Sequence, residues 1–186
     1  MGSRSLRTVV IVGSVATLIL AGLSIVAVVG FGGGWRSSVA NSCVVPPQSG
    51  SLVNVALTNM GGPMMGGSNG ERSAGAMRLI ADQPTVRHGT ISFLVTNRGS
   101  VSHEMVVLPL EKSQLAGTRA IGGDGKVDET GSLGEASNSC RSGPGEGILP
   151  GTSGWVTVTL PPGQYELICN LSGHYAAGMY TQLTVT

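Results

Sequence analysis

Three residue types with an affinity for soft metals crowd together near the end of the chain. From Cys169 through His174 to Met179 the spacing is C-x4-H-x4-M, which sets a thiol, an imidazole and a thioether within eleven residues. Far upstream, Ser102-His103-Glu104 offers a second imidazole. A thiolate, two imidazoles and a weak thioether form the donor set of a mononuclear copper electron-transfer site. Sulfur favours Cu(I) and imidazole suits Cu(II), so a site between the two preferences need rearrange little when an electron moves. Zinc takes three or four strong ligands in tetrahedral order, and methionine is a poor fourth.

Other chemistries lack their residues. There is no G-x-S-x-G elbow, no P-loop and no C-x-x-C-H haem attachment. Gly122-Gly123-Asp124-Gly125 does not lie between a strand and a helix, so it makes no phosphate cradle. A hydrolytic triad has no supporting motif in a chain with three histidines. Asp124, Asp128, Glu129 and Glu135 lack calcium-loop spacing and read as a solvated acidic loop. Three histidines cannot build a trinuclear copper cluster, and one cysteine in the motif excludes a two-cysteine binuclear centre. A filled donor set leaves no position for a small-molecule substrate, so the chain reads as an electron carrier and not an enzyme. The 11 Lys and Arg balance 10 Asp and Glu with no basic block, which sets nucleic acid aside.

Donors so far apart in sequence need rigid elements to bring them together. Gly supplies 30 and Pro 9 of 186 residues, against a typical combined share of roughly 12%. Only 11% of residues are charged and 4% aromatic, a composition that favours short strands and many turns. Apolar runs of strand length occur at Leu52–Leu57, Ala76–Ala81, Thr90–Thr96, Glu104–Leu110, Trp155–Leu160, Gln164–Cys169 and Tyr180–Val185. Cys169 therefore ends one strand, Met179 precedes the next, and the motif spans the loop between them. Glu111–Pro150 holds nine glycines and no sustained apolar period. It reads as a long insertion with a short helix at Lys112–Ala116. About seven short strands with Gly/Pro turns imply an all-β sandwich over residues 51–186.

The N-terminus is of a different kind. Val9–Phe31 runs for 23 residues without a charge. As a helix it spans roughly 35 Å, enough to cross a bilayer with some tilt. Arg4 and Arg7 precede it, so residues 1–31 read as a cytoplasmic N-terminus and a transmembrane anchor, with everything beyond on the extracytoplasmic side. The alternative is a signal peptide cleaved near Ala40, giving a secreted or periplasmic protein. Residues 32–50 read as a flexible Gly-, Ser- and Pro-rich linker. Residues 32–186 carry 9 basic residues (11 less Arg4 and Arg7) and 10 acidic ones, a nearly neutral exported domain. Cys43 and Cys140 make an even pair in an oxidising compartment: either a disulfide that staples the insertion to the linker, or two free thiols.

The terminal motif and the upstream histidine resemble the cupredoxin family, the small blue copper proteins. The C-x4-H-x4-M spacing is most similar to the rusticyanin and sulfocyanin branch, and Ser100–Leu110 also matches that branch in style. The pattern covers about Val53–Thr186. The resemblance implies a Greek-key, cupredoxin-like β-sandwich with one type 1 copper at one end, cycling between Cu(I) and Cu(II). His103, Cys169 and His174 would be equatorial ligands and Met179 axial. His88, in the turn Arg87-His88-Gly89, is the only other upstream candidate and reads as solvent-facing. The expected partners are redox proteins such as a cytochrome or a terminal oxidase, met at the membrane through the N-terminal helix. In the family the imidazole corresponding to His174 reaches the surface through an apolar patch. Here Tyr175, Ala176, Ala177 and the Met60–Met65 loop are the candidates for it. The departure from the family is the Glu111–Pro150 insertion, placed to cover one face. Two readings from other classes stay open: a copper-binding module for delivery or homeostasis, with Met60–Met65 as a Cu(I) pick-up site, and a metal-free adhesion or sensory sandwich. Asn170-Leu171-Ser172 fits a glycosylation pattern, but it lies inside the ligand loop and reads as coincidence.

Overall fold

In a computed structural model, the structure describes residues 43–59 and 77–186. The anchor at Val9–Phe31 and the Met60–Met65 loop lie outside the described residues. Among the described residues nine strands are formed: β1 (Ser51–Thr58), β2 (Arg78–Ala81), β3 (Thr85–Val86), β4 (Gly89–Asn97), β5 (Met105–Leu110), β6 (Gly134–Ala136), β7 (Ser153–Leu160), β8 (Gly163–Ile168) and β9 (Tyr180–Val185). They make two sheets, β2-β1-β4-β7 and β3-β9-β8-β5-β6. β1 runs parallel to β4, with Val53 opposite Phe93, and β4 runs antiparallel to β7, with Phe93 opposite Val156.

Alternation explains the first sheet. In β1 every second residue (Val53, Val55, Leu57) is buried while Leu52 and Asn54 face out. Ile91, Phe93 and Val95 from β4 and Val156, Val158 and Leu160 from β7 meet Met105, Val107, Tyr165, Leu167 and Leu183 from the second sheet in one core. Each large side chain fully buried there contributes about 1.5–3 kcal/mol relative to exposure.

In the second sheet β5 and the end of β8 are buried on both faces. β5 reads as a nearly continuous apolar run because Val106 and Leu108 turn away from the main core. They join Val127, Ile168 and Tyr175 in a second cluster. Val127 belongs to the insertion, which thus packs on the outer side of β5 and β8. The insertion differs from expectation in two respects. Lys112–Ala116 forms turns rather than a helix: Gln114 N donates to Glu111 O, and Gly117, at φ +85°, donates its N–H to Glu166 instead of prolonging a helical turn. Five residues cannot sustain a helix without tertiary support for that conformation. Nor is the acidic stretch uniformly solvated. Asp124 and Asp128 are exposed, whereas Glu129 and Glu135 are half-buried, and Glu135 lies in β6, paired with Val106.

Cys43 and Cys140 form a disulfide with Cα atoms 4.9 Å apart. The stretch read as a flexible linker is therefore fastened to the sandwich from Cys43 onward.

Candidate metal centre

Each donor arrives by a different local device. His103 precedes β5 and forms a one-residue bridge with Ile148: His103 N donates to Ile148 O at 3.2 Å, and Ile148 N donates to His103 O at 2.6 Å. The turn before it is organised by the buried Asn97, whose Nδ2 donates to the carbonyls of Val101 and Ile148, both at 2.7 Å, while its Oδ1 accepts from Gly99 N. Cys169 follows β8, and its N–H donates to Met179 O at 2.9 Å, which closes the loop between β8 and β9. Inside that loop His174 N donates to Leu171 O and Met179 N to His174 O.

These devices make the donors converge. His174 Nδ1 lies 3.2 Å from His103 Nδ1 and 3.3 Å from Cys169 Sγ. One donor atom from each of the three residues lies within 4.8 Å of the others. His103 and Cys169 are fully buried and His174 is half-buried. Met179 is also fully buried and packs in the main core that includes Cys169. The structure thus brings His103, Cys169 and His174 together and places Met179 in the same core as Cys169. His88 is exposed at the far end of β9, with its Nδ1 3.0 Å from Thr186 O.

Neighbours aim the donors. Asn59 Oδ1 faces the second ring nitrogen of His103 at 3.4 Å and accepts from Ser100 N at 2.7 Å. A proton on His103 Nε2 leaves Nδ1 free to bind a metal. Glu104 N donates to Cys169 Sγ at 3.3 Å, and Glu104 Oε1 accepts from Asn170 N at 3.0 Å. Asn170 is buried, its Nδ2 donating to Val127 O and to Glu129, which leaves it unavailable to a glycan. Asn59, Asn97 and Glu104 carried no sequence signal for these roles. Tyr175 corrects the expected surface patch: it is 2% exposed and belongs to the second cluster, whereas Ala176 is exposed and Ala177 half-buried.

The electrostatics suit a cation. Burial, with His174 beside it, lowers His103 from 6.5 to about 4, and burial lowers His174 as well. Burial pushes the Cys169 thiol up to about 12, against the Glu104 and Leu171 amides that bond to it. Glu104 is raised to about 7 by burial first and then by Glu135 and Glu129. At neutral pH the metal-free centre thus holds two neutral imidazoles and a neutral thiol, and a metal must expel the thiol proton. One sulfur and two imidazole nitrogens beside a buried thioether fit copper by donor type.

A β-sandwich of two sheets with this donor set at one end is a cupredoxin. The sulfocyanin (SoxE) domain model matches residues 56–186, and the chain belongs to that family, in which the cofactor is one type 1 copper and the function is electron transfer. No curated protein matches the sequence. Among solved structures, the dithionite-reduced auracyanin of Roseiflexus castenholzii is 22% identical, with 75% of this chain and 99% of that chain covered and a TM-score of 0.45. Auracyanin A of Chloroflexus aurantiacus, described as a "blue" copper protein, is 17% identical, covering 73% and 100% at a TM-score of 0.43. Reduced rusticyanin is 17% identical, covering 74% and 81% at 0.42.

Proposed function

We propose that His103, Cys169, His174 and Met179 hold the copper, and that the chain shuttles single electrons between extracytoplasmic or membrane respiratory partners. The observation that carries this reading is the convergence of His103 Nδ1, Cys169 Sγ and His174 Nδ1 in one largely buried cluster. Bound copper supplies a one-electron couple there. The chain's own residues do the rest. Asn59 and the Ile148 bridge orient His103, Glu104 ties the Cys169 sulfur to β5, and the packed core keeps water from the sulfur.

Of the three clustered donors, only His174 reaches solvent, so electrons enter and leave through its ring edge, beside Ala176, Ala177 and Gly178. Small side chains there let a partner approach closely. The Val9–Phe31 segment, read as an anchor, holds the domain on the extracytoplasmic side of the membrane and raises its effective concentration at a cytochrome or terminal oxidase. Stopped-flow mixing of the copper-loaded full-length chain with a c-type cytochrome tests the carrier role. Reversible one-electron bleaching is expected. Copper that stays redox-silent but passes readily to a competing chelator would favour copper delivery instead.

A further inference from the structure

The residue that follows each donor in sequence has a partner of its own, and those partners link the donors' neighbours to one another. Glu104, after His103, accepts from Asn170 N, and Asn170, after Cys169, is bonded to Val127. Tyr175, after His174, lies with its ring 5.2 Å from that of Tyr180, which follows Met179. Much of the holding comes from one stretch of the insertion, Gly117–Glu129. Besides Val127, its Asp124 O accepts from Ser172 Oγ at 2.6 Å and its Gly125 O accepts from Gly173 N at 2.9 Å.

The strongest link in this stretch involves a charge. Glu166, on β8 three residues before Cys169, has a fully buried side chain. A buried carboxylate is tolerated only with partners, and it has three: Gly117 N at 2.6 Å, Arg119 Nε at 2.6 Å and the Tyr175 hydroxyl at 2.9 Å. The same hydroxyl accepts from Arg119 N at 3.1 Å. We propose that Arg119, Glu166 and Tyr175 are positioning residues that fix the His174 end of the ligand loop before copper binds. This inference rests on the copper reading above. Arg119 and Glu166 are anchored to the insertion and to β8, and Tyr175 is the next residue after His174. Their bonds therefore restrict the backbone that aims the imidazole. Neither the C-x4-H-x4-M motif nor the sandwich fold requires the three.

Hydrogen exchange on the metal-free full-length chain tests the proposal, with Tyr175→Phe compared against Tyr165→Phe. Tyr165 serves as the control: it lies on β8 next to Glu166, is 4% exposed, and donates its hydroxyl to Pro161 O at 2.8 Å, away from the loop. Removing the Tyr175 hydroxyl should speed exchange at the His174, Ala177 and Met179 amides roughly tenfold, the effect of one hydrogen bond to a charged group. Tyr165→Phe should leave those amides alone. The copper-loaded Tyr175→Phe protein should show a changed ratio of visible bands, and Tyr165→Phe should not. Should Tyr175→Phe not fold, Arg119→Lys is read by the same exchange and should loosen the same amides. Loop amides that match wild type, or that speed up equally in both tyrosine variants, would overturn the positioning role. A wild-type protein without a thiolate–copper band would instead overturn the copper reading, and the exchange comparison would still decide the anchoring.

Discussion

Gly99→Ala probes the approach of the first imidazole most closely. A Cβ at this position would lie 2.2 Å from Asn59 Oδ1, 2.9 Å from His103 Nε2 and 3.1 Å from Asn97 Oδ1. The methyl must therefore displace Asn59, which costs its bonds to Ser100 N and to the His103 ring, or push the turn away from both. Overpacking of this kind costs about 1–3 kcal/mol. Asn59→Ala alone removes the side chain in the way and loses about 0.5–1.5 kcal/mol for its hydrogen bonding. The double variant should be less destabilised than the two losses added together, by about 1 kcal/mol or more, because the worst of the three clashes is then gone and only the tight approaches to His103 Nε2 and Asn97 Oδ1 remain. Urea unfolding of the four metal-free proteins gives the cycle, and copper spectra of the same four report whether His103 has moved. Additive losses, or a Gly99→Ala protein as stable as wild type, would refute the close approach as the reason for glycine.

Other perturbations have signs that follow from single features. Replacing Cys43 and Cys140 by alanine removes a cross-link of sequence separation 97 and should cost about 4–5 kcal/mol in urea unfolding, while the copper spectrum stays because Cys169 is a separate, buried thiol. In the metal-free protein, His103 is lowered to about 4, so its contribution to stability is present above 6.5 and is lost as pH falls from there toward 4. Glu104, raised to about 7, acts the other way, its contribution being lost as pH rises from 4.5 toward 7. The two oppose each other across this window, so Glu104→Gln should steepen the loss of stability on acidification, measured as the urea midpoint against pH; an unchanged profile would contradict the opposition. Ala177→Glu should slow electron exchange with an anionic or apolar partner and leave copper content unchanged, by stopped-flow and metal analysis. Unaltered rates would remove this surface from the docking role.

The sequence made some parts of this molecule legible and hid others, for physical reasons. Alternation in Leu52–Leu57 identifies a strand because one face is wetter than the other, and Thr90–Thr96 shows itself as a period-two run although even its Ser92 is buried. The donors were visible because Cys169, His174 and Met179 share one loop, and local spacing survives folding. β3 and β6, of two and three residues, were not visible, since pairing with β9 and β5 creates them and no period marks them. Tyr175 looked like a surface residue beside a ligand, and its burial depends on Val127 and Arg119, which lie about fifty residues upstream in sequence. Glu166 read as one polar residue in a strand, because the Arg119 that neutralises it belongs to a stretch without periodicity. Long-range polar partners of this kind leave no local pattern.

The central claim is that these donors hold a type 1 copper, and titrating the purified metal-free chain with Cu(II) at neutral pH tests it most directly, beside Cys169→Ser. The account predicts an intense thiolate-to-copper band that saturates at one copper per chain. About one proton should be released for each copper as the thiol, raised to about 12, is deprotonated, and both signals should be lost in the variant. A well-folded protein that takes up copper without the band, or a Cys169→Ser protein that keeps it, would contradict the account.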